Sequence, residues 1–189
     1  MKKKWIIIAA VVLAVVLFAG FIISGYNTLA TKKNEVDSAQ SNIKVYLQRR
    51  ADLIPNFVKT VKGYSDYESK TYIAVTEARS KVGKADTASE QAAASAELDK
   101  AIDVWVNAVT ENYPELKANS NYQALLDELE GSENRLATAR KGYNDVVKEY
   151  NEKIVLFPSN IIAAVFGFKS ADYFENSEGT DTVPEVSFD

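Results

Sequence analysis

The chain has 189 residues, 47% hydrophobic and 25% charged, enough for one modest folded body and too short for two comfortable ones. It contains no cysteine and no histidine, which excludes disulfides, iron–sulfur ligation, lipoprotein attachment, and Ser-His-Asp, Cys-His or Glu-x-x-His di-iron chemistry. All 26 acidic residues follow the three leading lysines, and the 19 other basic residues leave that body at a net charge of −7, which repels nucleic acid and anionic head groups.

The N-terminus carries the strongest signal. Residues 5–23, WIIIAAVVLAVVLFAGFII, run nineteen positions without a charge, close to the roughly 20 needed to cross about 30 Å of hydrocarbon. The segment from Trp5 to Ile23 is read as a transmembrane helix. Lys2, Lys3 and Lys4 precede it and the next basic residue is Lys32, so the positive-inside rule keeps residues 1–4 in the cytoplasm and exports everything after Ser24. The apolar run exceeds a signal-peptide h-region and no small-x-small cleavage site follows it, so the segment is read as a retained anchor.

Beyond Ser24 the apolar residues recur at helical spacing. Leu29, Val36, Ala39, Ile43 and Leu47 form a first stripe, continuous with the span; Ile54, Phe57, Val61, Tyr64, Tyr72, Val75, Ala78 and Val82 a second; Leu98, Ile102, Trp105 and Val109 a third. The longest runs from Tyr122 through Leu129, Leu136, Tyr143 and Val147 to Ile154, with a coiled-coil-like rhythm. The breaks have suitable punctuation. RRADLIPN (49–56) reads as a corner, with Arg49 and Arg50 closing the first helix, Asp52 capping the second and Pro55 in its first turn. At 83–90, Gly83 is a helix stop, Ser89 a candidate N-cap, and Thr87-Ala-Ser-Glu90 a capping-box pattern. At 113–121, Pro114 follows the third helix, and Asn119, Ser120 and Asn121 are candidate caps for the fourth. No strand-like alternation appears before the tail.

The predicted fold is therefore all-α: the transmembrane helix continues into a long antiparallel up-down four-helix bundle over residues 24–156, followed by a short apolar helical segment at 157–174 and a flexible acidic tail at 175–189. On this layout the 49–56 and 113–121 turns lie at the end far from the membrane. The 157–174 segment returns to the base of the bundle, where it either caps the open end or rests in the bilayer interface, and the cap is preferred.

Several blocks carry a family resemblance: RRADLIPN, ENYPELKAN (111–119) and GSENRLATARKGYND (131–145), within a likeness that spans Tyr26 to Phe174. The chain resembles the LemA family of bacterial membrane-anchored helical proteins. The resemblance implies a long antiparallel bundle behind an N-terminal anchor, no catalytic motif, and a role tied to membrane or envelope organisation. Gln40 stands where many relatives have tryptophan, and Tyr67 where a histidine often precedes the residue matching Glu68, which weakens any metal role there.

Polar residues on the stripes are candidates for an internal layer: Arg50, Glu68, Glu111, Glu133 and Arg140. Counting from the far-end turns puts Arg50 level with Glu111 and Glu68 level with Glu133. A Glu68–Glu133 carboxylate pair could share a proton or a hard cation, but carboxylates matched by arginines such as Arg79, Arg135 or Arg140 are the preferred reading. The acidic run around Asp127, Glu128, Glu130 and Glu133 wraps a helix and forms no calcium loop. No metal, cofactor or catalytic residue is assigned. The far-end turns offer Arg49, Asp52, Asn56, Tyr113, Lys117 and Asn119 to a protein partner. In the tail, Val183, Val186 and Phe188 are spaced like an extended recognition segment. The functional expectation is a single-pass membrane-anchored scaffold or interaction protein of the bacterial envelope, not an enzyme, with its body periplasmic or cell-surface and with self-association left open. The alternative is an extracytoplasmic sensor that binds a small solute or cation in the polar layer.

Overall fold

A computed structural model of the chain describes residues 2–62 and 70–174. Among these residues the regular structure is helical throughout: α1 (Lys2–Lys62), α2 (Lys70–Val82), α3 (Ala88–Asn112), α4 (Ser120–Val155) and α5 (Ser159–Phe166), with a 3-10 turn at Pro114–Ala118. Glu68, Tyr64, Tyr67 and the tail from Glu175 lie outside the described residues. The chain divides into two compact units, one of Met1–Ser38 with Asp145–Ala171, the other of Ala39–Asn144 with the chain from Asp172.

In the first unit, the side chains of α1 from Trp5 to Phe21 are exposed, as is Ile23, and α1 is long and apolar enough to cross a membrane. Packing begins at the end of that run. Leu29, Ile162 and Ala163 form a small core, flanked by the partly buried Ile22, Ile154 and Phe168. Gly25 permits the close approach of α5, because a Cβ there would sit 2.1 Å from Cδ1 of Ile162. Gly167 then ends α5 in the left-handed region (φ 76°), and the Phe168 N–H returns to the Ala163 carbonyl at 3.0 Å. The chain after α5 is held by α4: the Tyr150 hydroxyl donates to the Lys169 carbonyl (2.9 Å), and Asn151 exchanges two hydrogen bonds with the Ala171 backbone (2.9 and 2.8 Å). α5 thus has one buried face, Ile162 and Ala163, and one exposed apolar face containing Ile161, Val165 and Phe166.

The second unit corrects the expected corner. α1 does not end at Arg49 and Arg50 but runs through Pro55 to Lys62, so Asp52 and Pro55 are helix-interior residues. The apolar register explains the continuation: Ile43, Leu47, Ala51, Ile54, Phe57, Val58 and Val61 are all buried along one unbroken face. Proline at 55 removes the N–H that would have satisfied the Ala51 carbonyl. That acceptor is instead taken by Arg79 of α2, whose Nε donates to it at 2.9 Å. A side chain 28 residues away replaces the missing backbone donor, which removes much of the usual penalty for a buried, unpaired carbonyl.

Around this face, Phe57 meets Trp105 of α3 (ring centroids 4.8 Å apart) and Tyr122 of α4 (5.1 Å), and the Tyr122 hydroxyl pairs with Thr110 (3.1 Å). The connections are capped as polar residues at helix starts require. Thr87, not Ser89, is the N-cap of α3 and forms a reciprocal capping box with Glu90. Asn119 caps α4, its Oδ1 accepting from the N–H groups of Asn121 (2.9 Å) and Tyr122 (3.0 Å). Lys44 and Gln40 of α1 hold the α2–α3 turn through the Asp86 carboxylate (2.6 Å) and carbonyl (2.8 Å).

Two outcomes follow from these contacts. Arg79→Ala leaves the Ala51 carbonyl unpaired and should cost about 1–3 kcal/mol in urea unfolding. In a Pro55→Ala background, where residue 55 regains its N–H, the same change should cost less than half as much; equal costs in both backgrounds would sink this account. Glu90 accepts from the Thr87 and Asp86 backbones, which holds its carboxyl below the ordinary 4.5. Its contribution is therefore present above about pH 4.5 and lost as pH falls through the depressed value. Glu90→Ala should lower Tm at pH 7, with the gap to the parent protein closing on acidification.

Candidate functional site

The interior of the second unit contains a polar row. On α3, Gln91, Ser95 and Asp99 follow at intervals of four and share one face. Opposite them stand Arg50 of α1 and Glu133 and Arg140 of α4. Arg50 is only 5% exposed, and Gln91 and Ser95 are buried. The Arg50 guanidinium places Nη1 2.5 Å from Asp99 Oδ1 and in direct contact with the Glu133 carboxylate. Arg140 closes the group from the other side, 3.6 Å from Asp99 and 3.8 Å from Glu133, donating to the Ser95 hydroxyl and lying over the Phe174 ring at 5.2 Å. Two guanidinium and two carboxylate groups thus neutralise one another.

Burial dominates the electrostatics. It pushes the Asp99 carboxyl up, with Arg50 and Arg140 pulling it back, and it pulls the Arg50 guanidinium down, opposed by Asp99. Close charges do not imply complete hydrogen bonding here: Nε of Arg50 and of Arg140 and Oε1 of Gln91 have no hydrogen-bond partner among the described residues. Charge compensation therefore carries more of the cluster than directional bonding does. Among the described residues no group of three or more acidic side chains could hold a metal ion, and Glu133 faces arginines. The proposed pairing of Glu133 with Glu68 falls on a residue outside the described ones.

The other expected layer residue, Glu111, is exposed and stands apart from the cluster. Asp99 and Ser95 were missed; their four-residue spacing with Gln91, beside the stripe of Leu98 and Ile102, was the available signal. The six partner-facing candidates do not form one loop surface. Arg49, Asp52 and Asn56 lie along α1, while Tyr113, Lys117 and Asn119 lie around the 3-10 turn. Arg49 pairs with Glu128 at 3.0 Å, and Asp52 accepts from Gln48 at 2.9 Å with Arg79 at 3.6 Å. Asn56 is exposed, and the Phe57–Tyr122 contact brings that part of α1 beside the start of α4. Tyr113 caps the end of α3 through its N–H to the Val109 carbonyl, and the Lys117 carbonyl accepts from Gln123.

The model of the LemA family matches residues 39–188, which include every member of the cluster. The chain belongs to the LemA family. Similar proteins include magnetosome protein MamQ 2 of Paramagnetospirillum magneticum, 29% identical over 90% of this chain and 72% of that protein. Protein LemA of Metamycoplasma hominis is 26% identical over 93% of this chain and 80% of its own length. Magnetosome protein MamQ of Magnetospirillum gryphiswaldense is 24% identical over 94% and 74%. With its exposed apolar N-terminal helix, this LemA-family chain is a membrane-associated helical protein.

Arg50→Ala strands two carboxylates beside Arg140 alone and should destabilise the detergent-solubilised protein by about 3–5 kcal/mol in denaturant unfolding followed by circular dichroism. Replacing all four charged members with apolar residues of similar volume should cost far less than the single change. A single-residue loss no larger than that of the fourfold variant would show that the cluster is not coupled.

Proposed function

We propose that this LemA-family protein is a single-pass, membrane-anchored helical scaffold of the bacterial envelope. Residues 5–23 cross the bilayer with Lys2–Lys4 in the cytoplasm, and the helical body stands outside it and binds a protein partner. The observation that carries this reading is the contrast within α1. Its first part exposes an apolar surface from Trp5 to Phe21, whereas its later part buries a regular face against α3 and α4. The buried charges favour a structural interior over a reaction centre, because each carboxylate already faces a guanidinium. With no cysteine or histidine in the chain, Ser–His and Cys–His nucleophile–base pairs are excluded. The partner surface is proposed at Asn56, Tyr113, Lys117 and Asn119, with Arg49 and Asp52 further along α1.

Two measurements in living cells test this. A single cysteine at Lys117 should react with a membrane-impermeant maleimide in intact cells; labelling only after lysis would reverse the proposed orientation. Photo-crosslinkers at Asn56 and Lys117 should trap one specific protein, whereas Thr138 and Lys141 on α4 should not. Equal capture from both pairs would defeat the partner surface.

A further inference from the structure

The 15 residues from Ile154 to Phe168 carry no charge, and Lys153 and Lys169 flank them. Two of their apolar side chains, Ile162 and Ala163, are spent on the core with Leu29. Six others point outward: Val155, Leu156, Phe157, Ile161, Val165 and Phe166, with Phe157 79% and Val165 72% exposed. They form one continuous feature, because the corner between α4 and α5 is tight: the Leu156 N–H returns to the Glu152 carbonyl and the Asn160 N–H to that of Leu156. A contiguous apolar surface on an otherwise acidic body calls for a covering.

Its position says what covers it. α5 packs against Ile22, Gly25 and Leu29, and Tyr26 meets Phe166 edge-to-face and Phe168 at a tilt, with ring centroids 5.0 and 5.6 Å apart. These α1 residues run from the last turn of the apolar span to six residues past Ile23, at most about 9 Å along the helix axis. The head-group layer on each side of a bilayer is about 5–8 Å deep. α5 is therefore fixed at interfacial depth by its own contacts with α1, and Tyr26 occupies the level where membrane proteins concentrate aromatic residues. Lys153 and Lys169 can extend to the head groups while the residues between them enter the acyl boundary.

We propose that the α4–α5 corner and the outer face of α5 insert into the outer surface of the same bilayer that α1 spans, giving the protein a second, apolar membrane contact. This rests on the transmembrane reading of residues 5–23. The ligand is the lipid acyl boundary itself, and no anionic lipid is required, because the inserting residues are uncharged.

The chain has no native cysteine, so single labels are clean. The full-length protein, labelled with an environment-sensitive fluorophore at V12C, F157C, V165C or K148C, is reconstituted in phosphatidylcholine vesicles with brominated acyl chains. Labels at 157 and 165 should lose roughly half their fluorescence, as the label within the span at 12 does, while the label at 148 on α4 is scarcely quenched. Helicity equal to the parent protein's confirms that each variant is folded. Quenching at 12 with none at 157 or 165 above the level at 148 would overturn this contact while leaving the anchor intact. No quenching at 12 would overturn the anchor and this contact together. F157C disulfide crosslinking between copies, in place of quenching at 157 and 165, would assign the surface to self-association and overturn the lipid contact.

Discussion

The second unit is organised by one costly act, the burial of the Arg50 guanidinium. It occupies a place in the α1 stripe between Leu47 and Ile54 where a hydrophobe would ordinarily sit. Removing such a group from water costs several kcal/mol unless counter-charges lie against it. Asp99 and Glu133 supply them from two different helices. A slip of one residue in either helix would swing its carboxylate about 100° around the axis and leave the charge alone. The apolar contacts two turns further along, where Phe57 meets Trp105 and Tyr122, are compatible with that same register. Burial of apolar surface is the general source of stabilisation in such a unit, and a buried ionic cluster of this kind is suited to select among similar packings.

The helical character of the chain, its apolar stripes, the Thr87–Glu90 capping box and the Asn119 cap were all legible because each depends on residues within one or two turns. The misplaced corner at 49–56 shows where local rules stop. Proline and two arginines read as a helix boundary, but the apolar face runs on without a phase shift, and a donor from a distant helix satisfies the carbonyl that proline orphans. That error propagated. A corner placed too early aligned Arg50 with Glu111, whereas its actual neighbour on α3 is Asp99, twelve residues and about 18 Å of helix away. Pairings across the interior depend on turn positions, so an early slip mispairs every later partner.

The apolar N-terminal helix and the rest of the chain rely on different physics, and they were legible to different degrees for that reason. The apolar run from Trp5 to Ile23 needs only its composition to be recognised, and it precedes the region that matches the family model. The second unit is defined by relations among α1, α3 and α4, and the matched region, residues 39–188, encloses α3, α4 and the part of α1 that meets them. Such an interior would suit the proposed scaffold role. Its charges are consumed internally, so what remains for recognition is the surface of helices and turns whose positions the cluster has fixed.

The bond from Arg79 to the Ala51 carbonyl also bears on how this chain can vary. Proline 55 and Arg79 lie on different helices, yet each is tolerable largely because of the other: one orphans an acceptor, and the other supplies the donor. The pair should therefore be inherited as a unit. A chimera that takes α1 from this protein and α2 from a relative would import the vacancy without its remedy, even if every apolar position matched. Substitution at 55 opens position 79 to drift, and the two sites should change together along the family tree.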